Sequence, residues 1–328
     1  MPPLKDEDYG DDQVRDGQPH RDEEEPSVRF AISALAALLL AGSASADVKL
    51  GAFVLGHDGR SRAAERNRIE AAIGRELGVE RHYVPAGKEF PSSYVIESAR
   101  RGRLQVLSFS APSSMRWRRV ANGGYDRSFR ASFRRLKANY PLLKSMILIY
   151  ENEPDQSRKQ YKGSPAAYRA AFRHVYRLAR SMGITNRWST ALSEWTWYGR
   201  NPSDWLLPFL TFVGVDIYGV SVFECGAQGW QSFRDTTIKP YRWIASHGKK
   251  MLIAELGIRE DRGRPRRKAK WFRGMSSAVR NMPALEIIAY SHTDFGGPCS
   301  YRRGYWIDSS SRSRRAFRAM ALDPYFRG

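Results

Sequence analysis

Glu153 and Glu255 are the residues whose types and surroundings best suit chemistry. Glu153 lies in Ile147-Leu-Ile-Tyr-Glu-Asn-Glu-Pro154 and Glu255 in Met251-Leu-Ile-Ala-Glu-Leu-Gly257, each at the end of a short apolar run. Two carboxylates facing one space can divide the work of breaking an acetal. One protonates the leaving oxygen, and the other attacks the anomeric carbon or activates water. Such a pair also separates its own ionisation, because the charged partner makes the other harder to ionise. Glu151 shares the strand parity of Glu153 and stands as the alternative acid. Glu194 reads as a loop charge.

The elements that must position this pair follow from the apolar pattern. Strands are expected at 48–55, 82–84, 104–110, 145–150, 188–193, 211–218, 250–255 and 285–290, with amphipathic helices between most of them. Continuous apolar strands joined by helical crossovers imply a parallel sheet covered by helices. Eight such units after residue 46 fit a single-domain α/β (β/α)8 TIM barrel, which takes about 250 residues. A doubly wound sheet is the alternative, but no Gly-rich phosphate turn follows the first strand. Two helices can be read in detail. Ser164 and Pro165 suit a cap and first position, and Tyr168, Ala171, Phe172, Val175, Leu178 and Met182 share a face ending at Gly183. Asp126 is expected to cap a helix whose inner face is Phe129, Phe133 and Leu136. In a TIM barrel the strand C-termini form the functional face, so Glu153 and Glu255 are expected at one mouth.

Asn-Glu-Pro at the end of the fourth strand and Ala-Glu-x-Gly at the end of the seventh resemble the (β/α)8 superfamily of retaining glycoside hydrolases. Within it the chain is similar to glycoside hydrolase family 26, the β-mannanase family. The likeness rests on Val120-Ala-Asn-Gly-Gly-Tyr-Asp126, the segment 168–183, Val215-Asp-Ile-Tyr218, Lys250-Met-Leu-Ile-Ala-Glu255 and the tail 305–326. It spans roughly residues 48–326. The resemblance implies Glu153 as general acid/base, Glu255 as nucleophile, Tyr218 as the hydroxyl that orients the nucleophile, and Asn152 near the substrate 2-hydroxyl. Two positions depart from the family pattern: Asn152 stands where a His usually precedes the acid/base, and Asp155 where an Asn usually follows it by two. The implied substrate is a β-linked polysaccharide of the β-1,4-mannan type, with no cofactor. The alternative to an enzyme is a barrel that keeps its carboxylates but only grips a polysaccharide.

Other residues are weighed on position. Trp195 and Trp197 follow the fifth strand on the functional rim, where aromatic faces can stack on sugar rings. His292, after the eighth strand, could hydrogen-bond substrate. Cys225 and Cys299 lie in loops rising from the same rim, and an exported chain could oxidise them to a disulfide. The six histidines are scattered without ligand spacing, so no metal site is expected.

Charge completes the reading. Over 328 residues the chain carries 54 Lys+Arg against 34 Asp+Glu, a net charge of +20, and Arg supplies 42 of those cations. Residues 1–27 hold ten acids against three bases and lack apolar periodicity, which describes a disordered leader. Residues 28–46 run from Val28-Arg29 through an apolar stretch to Ala44-Ser-Ala46, the pattern of a signal peptide. In an Arg-rich chain Val28 could mark the natural start. The expected mature segment, 47–328, has 50 basic and 24 acidic residues, or +26. A monomer at the cell surface or outside the cell is expected, without a nucleic-acid partner. The runs Arg116–Arg119, Arg264–Arg267 and Arg312–Arg315 read as solvated surface, with polyanion binding as the alternative. Such a cationic barrel is expected to linger on anionic cell-wall polymer.

Overall fold

In the computed structural model, residues 48–219, 230–261, 263–294 and 304–326 are described. The leader, the signal-like segment and both cysteines lie outside them. Eight parallel strands close in sequence order: β1 (Lys49–Val54), β2 (Val79–Tyr83), β3 (Leu104–Phe109), β4 (Ile147–Asn152), β5 (Arg187–Ser193), β6 (Phe212–Tyr218), β7 (Lys250–Gly257) and β8 (Leu285–His292). The helices are α1 (Arg62–Ile73), α2 (Ser93–Arg100), α3 (Trp117–Ala121), α4 (Asp126–Ala138), α5 (Tyr140–Leu143), α6 (Pro165–Ser181), α7 (Glu194–Gly199), α8 (Phe233–Ser246), α9 (Arg267–Val279) and α10 (Ser311–Ala321). This is the expected (β/α)8 barrel. β1 closes on β8 over six residues, from Lys49 opposite Ile287 to Val54 opposite His292. Among the described residues no helix is long and apolar enough to cross a membrane.

Two apolar layers build it. Val79, Val106, Ile147, Ile149, Ala191, Phe212, Leu252, Ala254 and Ile287 fill the barrel interior. A larger layer lies between strands and helices, where Phe172, Val175 and Leu178 of α6 and Phe129, Phe133 and Leu136 of α4 are buried. Ser164 caps α6 as expected, its side chain accepting from Ala167 N. Asp126 does not cap α4. It is the first helical residue, and its carboxylate receives Nε2 of His174 at 2.6 Å.

β2 starts three residues earlier than its apolar content suggests. Its outward residues, Glu80 and His82, are buried under α1 and α2 because each has a partner. Arg66 Nη1 donates to Glu80 at 3.1 Å, Tyr94 and Ser98 donate to the same carboxylate, and His82 Nε2 meets Gln105 Oε1 at 2.6 Å. Buried charges persist where they are paired and hydrogen-bonded.

Glycine sets how closely β5 and β6 approach. A Cβ on Gly214 would sit 2.0 Å from the carbonyl oxygen of Thr190, which is backbone and cannot swing aside. Gly214→Ala is therefore expected to lower unfolding free energy by about 1–3 kcal/mol, the usual effect of overpacking. Denaturant melts should show a lower midpoint with little change in slope; an unchanged midpoint would refute this reading of the β5–β6 contact.

Candidate active site

Strict alternation along β4 would send residues 147, 149, 151 and 153 to one side. The backbone breaks that alternation. Glu151 and Glu153 adopt left-handed conformations, φ 59° and 46°, and the β4–β5 register shifts between Ile149 and Asn152. Glu151 is thereby turned away from the interior, and its buried carboxylate accepts from Lys162 Nζ at 2.7 Å. Lys162 closes a 3-10 segment, Ser157–Lys162, that folds back beneath the strand end. Lys159 of that segment lies 3.9 Å from Glu151 and donates to the carbonyl oxygen of Asn152. The alternative acid is thus engaged in a structural ion pair. Non-glycine residues in left-handed backbone cost about 1–3 kcal/mol each and gather at functional sites. Glu153 N donates to Ala191 O at 2.9 Å, and Asp155 accepts from Ser193 Oγ at 2.5 Å and Thr196 Oγ1 at 2.6 Å, tying this turn to β5 and α7.

Irregularity also delivers Glu255. The register of β7 shifts against both neighbours, between Val215 and Asp216 on β6 and across Ile253 to Leu256 against β8. Bulges re-aim side chains in this way beside active sites. Three donors converge on the Glu255 carboxylate. Tyr83 Oη donates to Oε1 at 2.5 Å, Tyr218 Oη to Oε2 at 2.5 Å, and Asn152 Nδ2 to Oε1 at 3.0 Å. Asn152 Nδ2 is also 3.0 Å from Asp216 Oδ2. The Asn152 amide is oriented by Arg81, whose Nη2 reaches Oδ1 at 2.9 Å. Arg81 in turn donates to Ser108 Oγ at 2.6 Å, His82 O at 2.8 Å and Ala254 O at 3.2 Å, with its guanidinium 4.1 Å from the Tyr83 ring centre.

These surroundings separate the acids. Burial, then the negative charges of Glu255 and Asp155, push the Glu153 carboxyl up to about 8, against the opposing pull of Lys159 and Arg158. Arg158 Nη2 lies 3.3 Å from Glu153 Oε2 on the solvent side. Asp216 is pushed well up, by burial first and then by Glu255 and Glu153, and its Oδ1 has no hydrogen-bond partner. Burial and Glu255 push the Tyr218 phenol well up; burial also raises Tyr83, so both remain donors. The mouth therefore presents a carboxyl that holds its proton near neutrality beside a carboxylate fixed by three hydrogen bonds.

The remaining expected site residues divide. Trp195 is 56% exposed on α7 and available to a ligand. Trp197 is 4% exposed and packs edge-on against Trp243 at 5.7 Å, so it is a packing residue and not a stacking platform. His292 is fully buried. Its Nε2 meets Glu65 Oε1 at 3.0 Å and its Nδ1 accepts from Ile307 N at 3.0 Å, which leaves no ring nitrogen for substrate. Cys225 and Cys299 lie outside the described residues. Arg81 and Tyr83 escaped the sequence reading because β2 lacks an apolar run; their shared parity on that strand was the available signal. Among the described residues no group of three or more His, Cys, Asp or Glu could hold a metal ion.

No protein-family model matches the chain. Endoglucanase H of Acetivibrio thermocellus is 28% identical over 120 residues, which is 34% of this chain and 13% of that protein's length. Solved structures give broader cover. A family 26 β-mannanase from Bacteroides ovatus matches with TM-score 0.55 and 17% identity over 85% of this chain and 87% of its own. The catalytic domain of a family 26 endo-β-1,4-mannanase from Bacillus sp. JAMB-750 matches with TM-score 0.56 and 15% identity, covering 85% and 84%. Cel5A of Thermotoga maritima, solved with cellobiose, matches with TM-score 0.54 and 11% identity, covering 83% and 97%. The chain has the fold of the family 26 β-mannanases.

The electrostatics can be measured directly. Carbon-13 carboxyl NMR is expected to follow Glu153 through a titration near pH 8. In Glu255→Gln that titration should move to lower pH, because a neighbouring negative charge is gone while the burial remains. An unmoved Glu153 titration in this variant would show that the two groups are not coupled.

Proposed function

We propose that this chain is an exported, monomeric, retaining glycoside hydrolase that cleaves β-linked polysaccharide backbones, β-1,4-mannan foremost. One observation carries the reading: a carboxyl raised to about 8 stands in the same barrel mouth as a carboxylate held by two phenols and an amide. The mannanase-like fold and the Asn-Glu-Pro and Ala-Glu-x-Gly strand ends support it. Export rests on the signal-like segment 28–46.

The chemistry follows from the two environments. Glu255 attacks the anomeric carbon as the glycosidic C–O bond breaks, and Glu153 gives its proton to the departing oxygen. A covalent glycosyl-enzyme results. Water then attacks the same carbon, Glu153 takes the water's proton, and the bond to Glu255 breaks. Inversion twice gives net retention. Tyr83 and Tyr218 hold the attacking carboxylate in one orientation, and Asn152 lies beside it where the 2-hydroxyl of the bound sugar would come. Trp195 offers an exposed aromatic face for a sugar ring. With Asn152 in place of the family's usual His, mixed-linkage glucan and xylan belong with mannan in the substrate panel.

Glu153→Ala and Glu255→Ala should each remove most reducing-sugar release from the cleaved polysaccharide, and general acid catalysis alone accounts for about 10²–10⁴-fold. If both variants keep near-full activity, the assignment is wrong. Proton NMR of the first product should show the retained anomer; the inverted one would rule out a nucleophilic Glu255.

The pH profile has a defined sign. Glu153 acts first as an acid, so its protonated form is required, and that form declines as pH rises through its pKa. The rate is expected to fall through about pH 8. A rate that instead climbs through that range would contradict the role.

A further inference from the structure

We infer that the outer surface formed by α9 and α10 is a docking site for an acidic polysaccharide carrying uronate carboxylates, distinct from the catalytic mouth. The occupant's class rests on the proposed function; the surface itself does not. Helices in this fold run back against the strands, so the N-termini of α9 and α10 stand on the same rim as Glu153 and Glu255. From that rim a cationic surface extends along the barrel flank. An open groove of about 720 Å³ is lined by Arg264, Arg266, Lys270 and Arg273 together with Pro265 and Arg267. A second, of about 350 Å³, shares Arg266 and Arg273 and adds Arg312 and Arg315 of α10.

The spacing makes these cations one surface. Arg266, Lys270 and Arg273 recur at i, i+4 and i+7, and Arg312 and Arg315 at i and i+3, so each set shares a helix face. All five are exposed, and α9 packs against α10. Three acids close in sequence are already engaged: Asp261 pairs with Arg267 at the edge of the first groove, Glu260 accepts from Ser309 and Ser313, and Asp308 pairs with Arg68.

Two of these cations, Arg266 before α9 and Arg312 in the first turn of α10, also oppose the local helical preference. Helix N-termini favour negative charge. Yet Arg266, the residue before α9, gives that helix no side-chain cap, and neither α9 nor α10 has an acid in its first turn. Placement against the dipole and beside like charges is unfavourable for the isolated fold, and an anionic partner would reverse both. Guanidinium forks match carboxylates in bidentate geometry. The rim also leads to a mouth read as a polysaccharide site, so an acidic glycan is favoured over other polyanions.

The test compares three full-length proteins by calorimetric titration with polygalacturonate: the native chain, Arg266→Glu/Arg273→Glu/Arg315→Glu, and Arg130→Glu/Arg134→Glu/Arg177→Glu. The last changes net charge equally on α4 and α6. The first triple variant should bind at least about tenfold more weakly, with the second within about twofold of native, and added salt should weaken the native complex. Hydrolysis of a short neutral oligosaccharide should be the same in all three. Equal weakening in both variants would reduce the effect to net charge and overturn the site, as would no binding by the native chain. Tighter native binding to single-stranded DNA of matched charge, or to vesicles of anionic lipid, would overturn the choice of partner. Because binding is read without catalysis, a chain inactive on every polysaccharide can still pass or fail this test.

Discussion

Three carboxyl groups, on Glu153, Asp216 and Glu255, share one largely buried barrel mouth, and like charges gathered away from bulk water resist ionising together. Much around them manages that repulsion. Asn152 places one amide nitrogen between Asp216 and Glu255, and two tyrosines give Glu255 neutral donors that burial keeps protonated. Asp216 and Glu153 respond by rising. The proposed hydrolysis would need such an inequality, since two groups with equal proton affinity could not serve as acid and nucleophile together.

The backbone irregularities follow from the same constraint. A regular strand presents alternate residues to the interior, so Asn152 and Glu153, adjacent in sequence, cannot both reach the mouth from regular β4. Left-handed residues on either side of Asn152 resolve this, and the ion pairs of Lys159 and Lys162 with Glu151 hold the distortion from behind. β7 meets a similar demand with register shifts, because its interior residues Leu252 and Ala254 leave Glu255 on the wrong parity. Strain at this rim is therefore the geometric condition for gathering the carboxyls.

Most of the architecture was legible because apolar runs and helical faces report burial, and burial is what a barrel repeats eight times. β4, β6 and β7 end in motifs that placed Glu153, Tyr218 and Glu255 at one face. Polar burial was not legible. β2 hides Glu80 and His82 behind partners supplied by α1, α2 and β3, so its apolar signal vanished, and Arg81 and Tyr83 vanished with it. His292 and Trp197 were misread for the converse reason: rim position suggests exposure, whereas Glu65, Ile307 and Trp243 close over them. Parity also could not separate Glu151 from Glu153, because the left-handed turn that does so has no signature in residue type.

The chain's large positive charge does not solve the problem at the mouth. The exposed cations of α4, α6, α9 and α10 stand on outer helical faces, where solvent screens charge beyond about 10 Å at 0.1 M salt. The compensation has to be local: Lys159 and Arg158 pull on Glu153, and Arg81 acts from inside the barrel. Its guanidinium serves Asn152 Oδ1, Ser108 Oγ and the carbonyls of His82 and Ala254 at once. A lysine ammonium has three donors and no planar fork, so it could not satisfy that set. With Oδ1 unheld, the Asn152 amide could turn its oxygen toward Glu255 and replace an attraction with a repulsion. The orientation of one amide thus links the buried arginine to the placement of charge on the two acids beside it.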